Sequence, residues 1–213
     1  MSIKRFLELF QNHPDMKIFH VKELALYLDQ KKEVTQVELH RLTKKGILQR
    51  LANGYYANPF HQPSLDEVSM ILKKPSYISM ETALNKHGIL PQTVYTYTMI
   101  TTDHSHQFEA LQTIFEYHQI QPQYFFGYQT TLDKVFIADP EKALLDLVYL
   151  RHFKKSTKKR HLIYSQLDNM LLDEIHKNRL LRYAKKMNLT NHLKKHFPFL
   201  IQNMETIRQN SMR

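Results

Sequence analysis

Residues 31–57 read KKEVTQVELHRLTKKGILQRLANGYYA, a helix-forming run stopped by a glycine and followed by two β-prone runs around an Asn-Gly pair. The spacing predicts a helix over roughly 31–45, with Gly46 ending it as a C′ residue. Val34, Val37, Leu39 and Leu42 are its apolar positions and are expected to face inward, although they do not form one clean stripe. Ile47–Leu51 and Tyr55–Ala57 then flank Ala52-Asn53-Gly54, a short-range hairpin signal. Upstream, Ser2 is available as an N-cap for a helix carrying Ile3, Phe6, Leu7 and Phe10 at helical spacing. His13-Pro14-Asp15 breaks that helix. A second helix is expected from about Phe19 to Leu28, with Val21, Leu24, Ala25 and Leu28 inward and Asp29-Gln30 as a polar link. Three short helices closed by a hairpin predict a winged helix-turn-helix over residues 1–60.

That geometry has a chemical consequence. The third helix of such a unit enters the DNA major groove with its outward side chains against base edges. Here those are Lys32, Thr35, Gln36, His40 and Arg41. A Gln amide matches adenine and an Arg fork matches guanine, so Gln36 and Arg41 are the candidate base readers. Lys31 and Lys44 suit phosphates, and Arg50 and Asn53 on the hairpin suit the backbone or the minor groove. The alternative for the same surface is a winged helix used for protein contacts alone.

The charge distribution is consistent with a polyanionic partner. The chain carries +10 overall. Residues 1–60 contribute +4, residues 61–150 contribute −5 and residues 151–213 contribute +11. Basic ends around an acidic middle suit a polyanion touched at more than one place, and also suit surfaces that only keep the chain in solution. The absence of cysteine excludes disulfides and thiolate metal sites. The apolar part of the N-terminus is too short for a secretory signal and no stretch approaches a membrane span, so a cytoplasmic location is expected.

Beyond Pro59 and Pro63, which mark a linker, a second domain is expected over 64–213. Three phrases stand out: KPSYISMETALNKHGILP (74–91), VYTYTMITT (94–102) and VFIADPEKALLDLVYL (135–150). In the first, Tyr77 and Ile78 form a short strand, and Ser79 caps a helix that buries Ala83 and Leu84 until Gly88 ends it. The second has the β-branched and aromatic content of a buried strand. In the third, Asp139 is an N-cap and Pro140 sits at N1, with Ala143, Leu144, Leu147 and Leu150 as the packed face. Thr113–Ile120 and Tyr124–Gln129 read as further strands, with helix an alternative for 107–118. Residues 151–160, RHFKKSTKKR, form a charge run. Helices are expected beyond it, with Leu167, Met170, Leu171, Ile175, Leu180, Leu181, Ala184, Leu189, Leu193, Phe197 and Leu200 inward and lysines and arginines outward. Such a basic extension, 151–213, is either a solvated surface or a second place for phosphate contact. The fold class expected is α+β: a winged helix-turn-helix, then a mixed α+β domain with a helical C-terminal part.

These phrases, with the leading winged helix, resemble the AbiEi-type antitoxin family of type IV toxin–antitoxin systems over about residues 1–155. "PSYIS…ETAL…HG" and "ADPEKALLDLVYL" are the most specific segments. The resemblance implies a DNA-binding domain that represses its own operon at inverted repeats. It also implies a C-terminal domain that counteracts a nucleotidyltransferase toxin without a stable complex. A stand-alone regulator, or a protein-interaction module without a toxin, is the alternative. Because such operators are palindromic, two copies are expected on double-stranded DNA.

Catalysis has little to stand on. Four glycines, at 46, 54, 88 and 127, cannot assemble a P-loop or a dinucleotide fingerprint. Neither HExxH nor G-x-S-x-G is present. His104 and His106 in Asp103-His-Ser-His106 are spaced to share a metal but lack a third ligand. Glu81 with His87, and Asp139 with Glu141, are explained by caps and helix surfaces. No cofactor, metal or enzymatic activity is expected.

Overall fold

Phe6 and Phe10 lie one helical turn apart, and both are buried to 1% exposure or less. They set α1 (Ile3–Gln11) against the core of the N-terminal part. The computed structural model describes residues 3–52, 54–153 and 167–202. It divides into two units. The first runs to Lys74 and includes Phe108–Phe115; the second holds Pro75–Gln107 and the residues from Glu116 onward.

In the first unit α1 is followed by β1 (Ile18–His20), α2 (Val21–Tyr27), α3 (Lys32–Lys44), β2 (Gln49–Ala52), β3 (Tyr55–Ala57) and α4 (Leu65–Leu72). The second helix therefore starts two residues later than its apolar pattern predicts. Ile18, Phe19 and His20 are drawn into a strand because they pair antiparallel with Ala57, Tyr56 and Tyr55. The Phe19 ring also stacks on Phe10 and Tyr56, at 4.8 and 5.8 Å between centroids. His20 ends the strand and caps α2: its Nδ1 accepts the Lys22 N–H, and Glu23 accepts the His20 N–H. Pairing with a distant strand is a tertiary event that local propensity does not register.

The expected hairpin is present. β2 and β3 are antiparallel, and β3 is the middle strand of a sheet ordered β1-β3-β2. Gly54 sits at φ +86°, where a Cβ would stand 3.0 Å from the His20 ring. Gly46 ends α3 as expected, at φ +68°. The Ile47 N–H reaches the Leu42 carbonyl and the Gly46 N–H reaches the Thr43 carbonyl, which closes a Schellman motif.

The inward face of α3 differs from expectation. Val34 and Val37 are exposed, and Thr35 takes the core position beside Leu39 and Leu42. Spacings of four and three make Thr35, Leu39 and Leu42 one helical stripe. The Thr35 hydroxyl is paired internally with Gln30 and the Lys31 carbonyl, which makes its burial tolerable.

Ser64 and Glu67 form a capping box at the start of α4. The Ser64 hydroxyl accepts the Glu67 N–H, and the Glu67 carboxylate accepts the Ser64 N–H at 2.8 Å. Lys17 adds an ion pair at 3.0 Å. Burial pushes the Glu67 carboxyl up, but the Ser64 N–H, Lys17 and the Ser64 hydroxyl together hold it below its ordinary value. A depressed carboxylate stabilises the fold above its unfolded-state pKa, and that contribution is lost as pH falls through the folded one. Glu67→Gln is expected to cost about 1 kcal/mol or less at neutral pH. It should also flatten the acid limb of the stability–pH curve, as read by urea denaturation at pH 7 and pH 3.

After the first unit's helices and hairpin the chain forms a six-stranded mixed sheet ordered β6-β7-β5-β4-β9-β8, of which β4, β5, β8 and β9 lie wholly in the second unit. The sheet's strands are β4 (Ser76–Ile78), β5 (Thr96–Thr101), β6 (His106–Ala110), β7 (Thr113–Gln119), β8 (Tyr128–Thr130) and β9 (Phe136–Ala138). β4 runs antiparallel to β5 and parallel to β9. Residues 106–119 form a hairpin rather than the alternative helix. Of the strand expected over Tyr124–Gln129, only Tyr128 and Gln129 pair; Pro122–Tyr124 is a 3-10 turn. The helices are α5 (Met80–Lys86), α6 (Pro140–Val148), α7 (Lys177–Lys186), α8 (Thr190–His196) and α9 (Phe199–Gln202) among the described residues. α6 packs against both α5 and α7, so every residue from Glu141 to Leu150 is buried. Of the apolar positions expected inward in the C-terminal third, Leu167, Met170, Ile175, Leu180, Ala184, Leu189, Leu193, Phe197 and Leu200 are buried, Leu181 is half-buried and Leu171 is 57% exposed. The charge-run residues 154–160 lie outside the described residues. The observed architecture is α+β, and among the described residues no helix is long and apolar enough to cross a membrane.

Candidate nucleic-acid interface

The burial of Thr35, Leu39 and Leu42 turns the opposite side of α3 to solvent. Lys32, Gln36, His40, Arg41 and Lys44 are all exposed on this helix, and Lys31 is exposed just before it. Arg50 is exposed on β2, next in sequence. Asn53 lies outside the described residues. Thr35 is the one expected base reader that fails: fully buried and bonded within its own helix, it has no face to offer a ligand. Val34 and Val37 take up the outward positions instead, 48% and 51% exposed. The signal for them was present in the blurred stripe, since a 35/39/42 register removes both valines from the core face.

Arg41 and Lys44 also lie in the last turn of α3, where positive charge is favoured by the helix dipole. The helix is thus stable with a basic outer face, and its charges do not need a ligand to be tolerated.

The phrase ADPEKALLDLVYL proves to be a buried polar centre rather than a helix surface. Asp139, Glu141, Lys142 and Asp146 are all buried. Asp146 Oδ2 accepts the Tyr77 and Ser79 hydroxyls at 2.9 and 2.8 Å, and Oδ1 accepts the Lys142 ammonium one turn away. Ser79 holds the N-cap position of α5 but does not cap it; its hydroxyl is spent on Asp146. Burial pushes the Asp146 carboxyl up and the Lys142 ammonium down, against the attraction between them. The Lys142 ammonium lies 5.5 Å from the Tyr77 ring centre and 5.2 Å from that of Phe126. Glu141 accepts the His176 N–H at 2.7 Å and faces Arg179. Asp139 likewise does not cap α6; its oxygens take Gln129 and the Tyr183 hydroxyl. Each of these groups has a partner within the protein, the arrangement of a buried polar network.

The other pairs considered for chemistry are not brought together as sites. Glu81 pairs with Arg151 at 3.2 Å, while the His87 Nε2 bonds the Ala138 carbonyl at 2.8 Å. His104 and His106 are exposed, and among the described residues no group of three His, Cys, Asp or Glu side chains is arranged to hold a metal ion. A histidine cluster that the spacing did not reveal joins His152, buried at 1% exposure, to His192 through a 2.8 Å nitrogen contact. His196 packs beside them, 4.6 Å from the His192 ring centre. Comparison of the chain with protein-family models returns no match, and comparison with curated proteins returns none either.

Proposed function

We propose that residues 1–60 form a winged helix-turn-helix and that the chain is a DNA-binding transcriptional autorepressor. The observation that carries this reading is the two-sidedness of α3: Thr35, Leu39 and Leu42 are buried, and Lys32, Gln36, His40, Arg41 and Lys44 are exposed. A helix presented in this way, followed by a short hairpin with a basic residue, suits insertion in the major groove with the hairpin against the backbone. Gln36 and Arg41 would read bases, and Lys31, Lys32, Lys44 and Arg50 would hold phosphates.

The same proposal takes the chain as the antitoxin of an AbiE-like type IV system that counteracts a nucleotidyltransferase toxin. That part rests on the resemblance of residues 74–91 and 135–150. The partner on DNA would be an inverted repeat bound by two copies, the toxin would be opposed without a stable complex, and the site of action would be the cytoplasm.

The test is a binding titration of the full chain against the DNA upstream of its own reading frame and against a scrambled duplex, at two salt concentrations. Preference for the upstream duplex that weakens with salt is expected. Arg41→Ala should lower affinity for the upstream duplex by about 10- to 100-fold and reduce the preference. Equal, weak binding to both duplexes, unchanged in the variant, would remove α3 as the reader and favour a protein partner.

A further inference from the structure

The outer face of α3 is not uniformly polar. At 3.6 residues per turn, Val37 points about 170° away from the mean direction of Thr35, Leu39 and Leu42. It therefore stands near the middle of the exposed face, with Val34 and His40 three residues away on either side and Arg41 one turn on. By the same geometry Glu33 lies one turn before Val37 and Lys44 two turns after it, so two half-exposed valines share a face with His40, Arg41 and Lys44, where the positive charge outweighs that of Glu33. An apolar spot beside basic side chains suits an apolar group embedded in a polyanion. On duplex DNA the base edges of the major groove offer one such group, the thymine C5-methyl.

We propose that Val37, with Val34 beside it, contacts thymine methyl groups in the major groove and so adds a preference for thymine to what Gln36 and Arg41 select. This rests on the reading of α3 as a DNA-inserting helix. β-Branched side chains suit the task because their rotamers are already restricted on a helix, so little freedom is lost on contact. Both valines are outside the core, so shortening either should leave the fold intact.

The experiment uses the full chain and two versions of its upstream duplex, one with thymine and one with deoxyuridine at every thymine position, which removes the methyl groups and keeps the hydrogen-bonding pattern. Wild type should bind the thymine duplex more tightly, by about fourfold for each methyl contacted. Val37→Ala should bring the thymine-to-uracil ratio toward one, and Val34→Ala should move it in the same direction. Arg41→Ala should weaken binding to both duplexes and leave the ratio in place. Wild type binding both duplexes equally, or Val37→Ala keeping the wild-type ratio, would overturn the methyl contact while leaving DNA binding standing. Failure of wild type to bind either duplex would overturn the groove reading of α3 and this inference with it.

Discussion

Asp146→Ala is expected to cost about 3–5 kcal/mol, the usual penalty for removing one partner of a buried ion pair. The substitution leaves the Lys142 ammonium at 0% exposure without a counterion and takes the acceptor from the Tyr77 and Ser79 hydroxyls. With total stabilities of about 5–15 kcal/mol, a loss of this size should show as a melting point lower by about 10–20 °C, or as failure of the second unit to fold. Circular dichroism melting curves are the measurement. Lys142→Met should cost less at low pH, because a buried carboxyl with two hydroxyl donors can take up a proton.

The signs of the two pH dependences are opposite and mark the pair. With Lys142 gone, burial, the largest influence on Asp146, is opposed only by the Ser79 and Tyr77 hydroxyls and raises its folded pKa above the unfolded value. Its stabilising contribution is then present below the unfolded pKa and lost as pH rises through the folded one. With Asp146 gone, burial and, to a lesser degree, the charge of Lys186 lower the folded pKa of Lys142. Stability should then be lost as pH falls through that value and be greatest in alkali. Lys142→Met should accordingly be more stable at pH 5 than at pH 8, and Asp146→Ala the reverse. Parallel curves for the two variants would show that Lys142 and Asp146 are not coupled.

Asn58→Ala is expected to lower the stability of the first unit by about 2–4 kcal/mol. Asn58 is fully buried just after β3. Its amide donates to the carbonyls of Phe10 and Met16 at 2.9 and 3.1 Å, and its Oδ1 accepts the Phe60 N–H at 2.9 Å. One side chain thus satisfies the end of α1, the connection to β1 and the chain leaving the hairpin. Truncation leaves those backbone groups without this partner, each at a desolvation cost. Asn58→Asp should be at least as damaging at neutral pH, since a carboxylate cannot donate and would face the Phe10 and Met16 carbonyls. Acidification should recover part of that loss. Urea denaturation at pH 7 and pH 5 distinguishes these outcomes, and a midpoint unchanged in Asn58→Ala would rule out the role.

What was legible in the sequence follows from local rules. Gly46 and Gly54 marked a helix end and a tight turn because backbone at positive φ favours glycine, and both adopt it. Phe6 and Phe10 marked the buried side of α1, and Ala143, Leu144, Leu147 and Leu150 that of the helix after Asp139-Pro140, because helical spacing alone places them together. The same rules placed five of the proposed DNA contacts on one exposed helix, Lys32, Gln36, His40, Arg41 and Lys44, and erred at Thr35. Apolar character points Val34 and Val37 inward, but the 35/39/42 register turns both to solvent.

By itself, then, the sequence determined where helices and turns begin and end and which short-range faces are apolar. Those are properties of a few neighbouring residues. Tertiary structure alone decided the rest. Ile18–His20 became a strand because β3, some forty residues away, supplied its hydrogen bonds. Thr35 became core and the valines surface because the helix turned its 35/39/42 stripe toward Phe6, Phe10 and Phe19. Glu141, Lys142 and Asp146 became buried because α5 and α7 both pack against α6. A charged side chain on a helix reads as solvent-facing until neighbouring elements enclose it, and its burial is tolerated only where those elements bring partners such as Tyr77 and Ser79.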